Sequence, residues 1–145
     1  MLCRTVVLGP GLLGGSLGLA LAEQGHETVV WGRRPAPLDY LSNIAPRALR
    51  TEIDLTKASQ DAELIVLATP IGVMPDLLEC LVATKALAPE VVITDVGSVK
   101  GPIVEHATAL LKGTGAHFVG SHPMAGRKLL ESRRLERIST QTRCA

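Results

Sequence analysis

The segment Val6-Val7-Leu8-Gly9-Pro10-Gly11-Leu12-Leu13-Gly14-Gly15-Ser16 constrains this chain more than any other. An apolar run precedes the glycines, and an apolar stretch from Leu12 to Leu21 follows them. Strand, glycine turn and helix in that order make the G-x-G-x-x-G signature of a dinucleotide-binding βαβ unit. Gly9 permits the tight turn, Gly11 lets the backbone approach a pyrophosphate, and Gly14 lets the helix lie close to the strand. The first amides of a helix have no partner within it, and the helix dipole adds positive potential there. Gly9, Gly11, Leu12, Leu13 and Gly14 are therefore assigned to cofactor binding.

Composition narrows the partners. A chain of 145 residues suits one compact domain with a sizeable core. Its only aromatic residues are Trp31, Tyr40 and Phe118, too few to stack the bases of a nucleic acid. Net charge is +1, so there is no global basic field, and no nucleic-acid partner is expected. Leu12 to Ala22 is too short and glycine-rich to span a membrane. The first strand begins within a few residues of Met1, which leaves no room for a signal peptide. Cys3, Cys80 and Cys144 are scattered and odd in number, and fit neither a disulfide framework nor a metal site. A cytoplasmic protein without metal or membrane contact is the expectation.

Strands alternate with helices along the chain, as a Rossmann-type α/β fold requires: a doubly wound, mostly parallel sheet with helices on both faces. The expected strands are Arg4 to Leu8, Thr28 to Trp31, Ala48 to Glu52, Leu64 to Ala68, Val91 to Thr94 and His117 to Gly120. Helices are expected from Leu12 to Gln24 with Gly25 just past the end, from an Asp54 cap to Ser59, and from Pro102 to Lys112 with Gly113 and Gly115 closing it. A further helix from Gly72 to Leu81 places Val73, Leu77, Leu78 and Leu81 on one face, with Met74 as a packing residue. Pro35 to Pro46 shows little periodicity and is expected to be a loop.

Polar residues gather where these strands end. NAD-binding units carry an Asp or Glu after the second strand, which accepts hydrogen bonds from the ribose 2′-hydroxyl. Here the sequence reads Trp31-Gly32-Arg33-Arg34-Pro35. Arg33 and Arg34 suit a 2′-phosphate, so NADP is favoured with NAD as the alternative. The alternative is that they are ordinary solvated loop charges. Thr69 and Pro70 end the fourth strand beside the nucleotide. Asp95-Val96-Gly97-Ser98-Val99-Lys100 is a second strand–glycine–helix passage; Asp95 and Gly97 are assigned to the cofactor, although Ser98 could act as a helix cap alone. His122 follows the last strand at the same edge, where a histidine can serve as general acid or base. His26, His106 and His117 read as loop or exposed helix residues.

Four segments together carry a resemblance: Gly9 to Ser16, Leu67-Ala68-Thr69-Pro70, Asp95 to Lys100, and Gly120-Ser121-His122-Pro123-Met124-Ala125-Gly126. In this order and spacing the chain resembles the nucleotide-binding domain of prephenate and arogenate dehydrogenases, over roughly residues 1–126. The resemblance implies oxidative decarboxylation in tyrosine biosynthesis: hydride leaves the ring for the nicotinamide, the ring hydroxyl loses its proton, and the carboxylate departs as carbon dioxide. It implies that His122 assists that deprotonation and that Ser98 orients His122 and contacts the hydroxyl. It also implies a small-molecule substrate and a family dimer formed through a C-terminal helical domain.

The remaining residues, 127–145, depart from the family pattern. They hold six basic and two acidic residues. They read either as a basic amphipathic helix over Arg127 to Ile138 or as a frame-shifted, disordered end, and the helical domain is expected to be lacking. Cofactor binding with weak or absent turnover of the isolated chain follows. Competing readings are another dehydrogenase of the 6-phosphogluconate type, such as an imine or 3-hydroxyacid reductase, and a non-catalytic nucleotide-binding module.

Overall fold

The computed structural model describes residues 3–97 and 101–121. Six strands, β1 (Thr5–Leu8), β2 (Thr28–Trp31), β3 (Leu49–Glu52), β4 (Leu64–Leu67), β5 (Val92–Asp95) and β6 (His117–Gly120), form one sheet in the order β3-β2-β1-β4-β5-β6. Every pairing is parallel. This is the doubly wound order, with its topological switch between β1 and β4. Central strands of such a sheet are covered on both faces, which is why Val6-Val7-Leu8 and Ile65-Val66-Leu67 are unbroken apolar runs with almost no exposure.

Alternate residues of each strand feed two separate cores. Val7, Val30 and Val66 face one side, where they meet Ala22 of α1 (Leu12–Glu23) and Leu38 and Leu41 of α2 (Pro35–Ile44). Val6, Leu8, Val29, Trp31, Ile65, Leu67 and Ile93 face the other. There they pack on α3 (Leu55–Ser59), α4 (Met74–Ala83) and α5 (Gly101–Leu111) through Ala58, Met74, Leu77, Leu78, Leu81, Ile103, Ala107 and Leu111. Asp54 caps α3 by accepting from the Lys57 amide at 3.1 Å. Gly25, Gly113 and Gly115 all take positive φ, as chain reversals after helices require.

Two expectations are corrected. Pro35 to Pro46 is not a loop: Pro35 to Ile44 is α2. Pro35 and Pro37 occupy the first turn, where the missing N–H has no helical partner anyway, and Leu38 and Leu41 at i, i+3 spacing anchor the helix to the sheet. The helix after β4 begins at Met74 and follows a short 3-10 turn, Ile71–Val73. Val73 is therefore only partly buried, and Met74 takes its place in the core at 1% exposure. Residues 127–145 lie outside the described residues.

Leu78 of α4 is fully buried in the core, whereas Tyr40 on α2 is 61% exposed. Urea unfolding of Leu78→Ala is expected to show a loss of about 2–5 kcal/mol. Tyr40→Ala is expected to stay within about 0.5 kcal/mol of the parent chain.

Candidate dinucleotide-binding site

Because all six strands are parallel, their carboxyl ends share one edge, and ligands of open α/β sheets bind there at the switch point. At that point β1 leads into Gly9, whose φ of 122° suits glycine alone. A Cβ on Gly9 would stand 2.8 Å from the Ala68 carbonyl oxygen, just beyond β4. Gly14 in the first turn of α1 is tighter still: a Cβ there would overlap the Gly9 carbonyl oxygen and lie 2.9 Å from Ala68 Cβ. The two glycines thus bring α1 directly onto the switch point. No side chain caps α1, whose N-cap is Gly11. Gly11 is exposed, a Cβ on it would meet nothing within 4 Å, and Leu12 beside it is 81% exposed. Leu13 is half-buried. An uncapped helix end facing open space at a sheet's switch point fits the pyrophosphate of a dinucleotide.

At the end of β2, Arg33 and Arg34 are exposed, and Arg34 is the N-cap of α2. Neither guanidinium has an ion-pair partner among the described residues. The nearest acid in register is Glu52, beside Trp31 on β3. Its Oε1 accepts from the Ile53 and Asp54 amides, each at 2.9 Å, and is held by its own turn. Gly32, between Trp31 and Arg33, is buried.

On the other side of the switch, Thr69 is half-buried and Pro70 exposed. Thr69 Oγ1 is buried with no hydrogen-bond partner among the described residues, a hydroxyl with capacity left for a ribose or amide. Asp95 ends β5 and is fully buried. Its Oδ2 accepts from the Gly97 amide at 2.9 Å, and its carbonyl oxygen accepts a short hydrogen bond from Ser121 Oγ. Ser121, which the sequence reading did not single out, therefore ties the exit of β6 to the exit of β5. Its signal was its position beside His122, immediately after the last strand. Ser98 and His122 lie outside the described residues.

The opposite edge of the sheet holds a broad concavity of about 600 Å³, lined by Arg4, Glu27, Arg47, Arg50 and Glu63 among others. Arg4 and Arg50 both pair with Glu27, at 3.1 and 2.7 Å. These ion pairs stand at the strands' amino ends, away from Gly9, Gly11 and Gly14. No helix among the described residues is long and apolar enough to cross a membrane.

Sheet order, glycine cradle and uncapped helix together define a dinucleotide-binding domain of the Rossmann type. Residues 17–130 match the family model for "Prephenate dehydrogenase, nucleotide-binding domain". The chain is 37% identical over 125 residues to a prephenate dehydrogenase of Lactococcus lactis, covering 85% of this chain and 34% of that protein. It superposes on Synechocystis arogenate dehydrogenase with a TM-score of 0.74 at 34% identity, covering 85% of this chain and 41% of that one. It also superposes on an Aquifex aeolicus prephenate dehydrogenase, solved with hydroxyphenyl propionate and NAD+, with a TM-score of 0.72. At 23% identity, covering 87% of this chain and 43% of that one, this last likeness speaks for the fold alone. The chain belongs to the prephenate dehydrogenase family and spans about a third of the length of the curated relatives it matches.

The two helix-end glycines separate folding from binding. Gly11→Ala is expected to change stability by no more than about 1 kcal/mol, since it costs only a poorer cap. It should still weaken binding of a nicotinamide dinucleotide in calorimetric titration. Gly14→Ala is expected to lower the thermal midpoint sharply even without ligand, because its Cβ has nowhere to go.

Proposed function

We propose that this chain is the cofactor-binding part of an NADP-dependent dehydrogenase that oxidatively decarboxylates prephenate or arogenate, a step of tyrosine biosynthesis. The observation that carries the reading is the junction of β5 and β6. Buried Asp95 is bonded to Gly97 and to Ser121, the residues that immediately precede Ser98 and His122 in the chain. Family membership adds the reaction class.

A bound nicotinamide supplies the hydride acceptor for the substrate's ring carbon. Gly9, Gly11, Leu12, Leu13 and Gly14 would hold the pyrophosphate, and Thr69, Pro70, Asp95 and Gly97 would contribute to holding the rest of the dinucleotide. His122 accepts the proton of the ring hydroxyl, and Ser98 hydrogen-bonds both that hydroxyl and the imidazole. Loss of the ring carboxylate as carbon dioxide leaves an aromatic ring, which drives the step. Arg33 and Arg34 would meet the 2′-phosphate; their lack of an ion-pair partner among the described residues and the absence of an acid directly after β2 support NADP over NAD.

Calorimetric titration tests the cofactor. NADPH is expected to bind about tenfold or more tighter than NADH, and the double substitution Arg33→Ala/Arg34→Ala to remove most of that difference while leaving NADH unchanged. Equal affinities in the unmodified chain would remove the phosphate role. For the reaction, prephenate, arogenate and 3-hydroxyacids are compared by formation of reduced cofactor. Turnover by this chain, a third of its relatives' length, is expected to be low. His122→Asn is expected to reduce it about 10²–10⁴-fold at unchanged NADPH affinity. Oxidation of a 3-hydroxyacid in preference to prephenate and arogenate would contradict the substrate class.

A further inference from the structure

Gly32 is the first residue after β2, the place from which NAD-binding units extend their ribose-binding acid. Its φ is not in the left-handed region, so the backbone does not demand glycine there. Space does. A Cβ on Gly32 would lie 2.7 Å from Pro10 Cγ, 2.9 Å from Pro10 Cδ and 3.4 Å from Leu38 Cδ2. The proline ring is closed onto its own backbone nitrogen, so it cannot swing aside as a long side chain would. On the loop's other flank a Cβ at Gly9 would stand 2.8 Å from the Ala68 carbonyl oxygen, so the loop is closely bordered on that side too. The glycine loop is thus held between Gly32 on the β2 side and Ala68 on the β4 side.

We propose that Pro10 and Gly32 act as a coupled cofactor-selectivity pair. The ring of Pro10 fills the volume through which an acidic side chain at position 32 would enter. While that proline is present, negative charge cannot be installed at the ribose without displacing the pyrophosphate loop. The loop thereby keeps out the acid that would turn a 2′-phosphate away, while Arg33 and Arg34 supply the attraction to it. This inference rests on the NADP reading above.

A cycle of Gly32→Asp, Pro10→Ala and the double variant tests it, read by calorimetric affinity for NADPH and NADH and by the thermal midpoint without cofactor. Gly32→Asp alone is expected to weaken both cofactors about tenfold or more and to lower the midpoint, as overpacking does. Pro10→Ala alone is expected to change both affinities less than about threefold. The double variant is expected to regain the midpoint and to bind NADH more tightly than NADPH. Gly32→Ala, with and without Pro10→Ala, reads the same clash without the charge and serves if Gly32→Asp does not fold. Gly32→Asp that binds NADH as well as the double variant does, at an unchanged midpoint, would overturn the pair. Additive midpoints in the alanine cycle would overturn the coupling alone. Equal affinity of the unmodified chain for the two cofactors would overturn the NADP reading and the selectivity role with it, whatever the midpoints show.

Discussion

The approach of α1 to the turn after β1 is the contact on which the nucleotide edge depends. Gly14 rests on Gly9 and Ala68, and Gly18, one turn further on, leaves room for a Val30 methyl that a Cβ would meet at 2.7 Å. A helix built with larger residues on this face would stand away from the sheet by the thickness of a side chain. Its free amides would then no longer point over the switch point, and the dipole would act through water rather than at contact. The leucines that make α1 so apolar flank this face instead: Leu17, Leu19 and Leu21 pack onto the Val7, Val30 and Val66 core. Burial by the flanks and close approach by the glycines are separate tasks given to alternate positions of one helix.

The two sheet edges divide their polar residues by use. At the amino edge, Arg4 and Arg50 both pair with Glu27, and the exposed Arg50–Glu27 pair is worth no more than about 1 kcal/mol. At the carboxyl edge the backbone and carboxyl groups are used to fix loops: Glu52 holds the turn after β3, and Asp95 and Ser121 tie the ends of β5 and β6. Among the described residues Arg33, Arg34 and the Thr69 hydroxyl have no partner there, and these groups are what a ligand can use.

Most of this fold is legible in the sequence because burial on both faces makes the central strands β1 and β4 nearly all apolar. Val6 to Leu8 and Ile65 to Leu67 could be placed within a residue, and parallel order follows from their alternation with helices. α2 was missed because Pro35, Pro37 and Pro46 look like loop residues when counted. The physics of a helix's first turn, where a missing N–H is harmless, is positional. The glycine cradle was legible because the glycine spacing stands between an apolar strand and an apolar helix; without that context it could equally mark a plain turn. The role of Gly32 was not. A glycine in place of an acid reads as an absence, and the ring that occupies the space comes from Pro10, far away in the chain. The Ser121 bond likewise joins two strand ends that only the sheet brings together.

Trp31, the one tryptophan of the chain, closes β2 with 7% exposure and donates from Nε1 to the Ile53 carbonyl at 2.9 Å. It is thus a rigid, dry chromophore two residues from Arg33. The emission of a buried indole overlaps the absorption band of a reduced nicotinamide. A reduced nicotinamide dinucleotide bound as proposed would bring an energy acceptor toward a single fixed donor, and loss of Trp31 emission would then record the filling of the site.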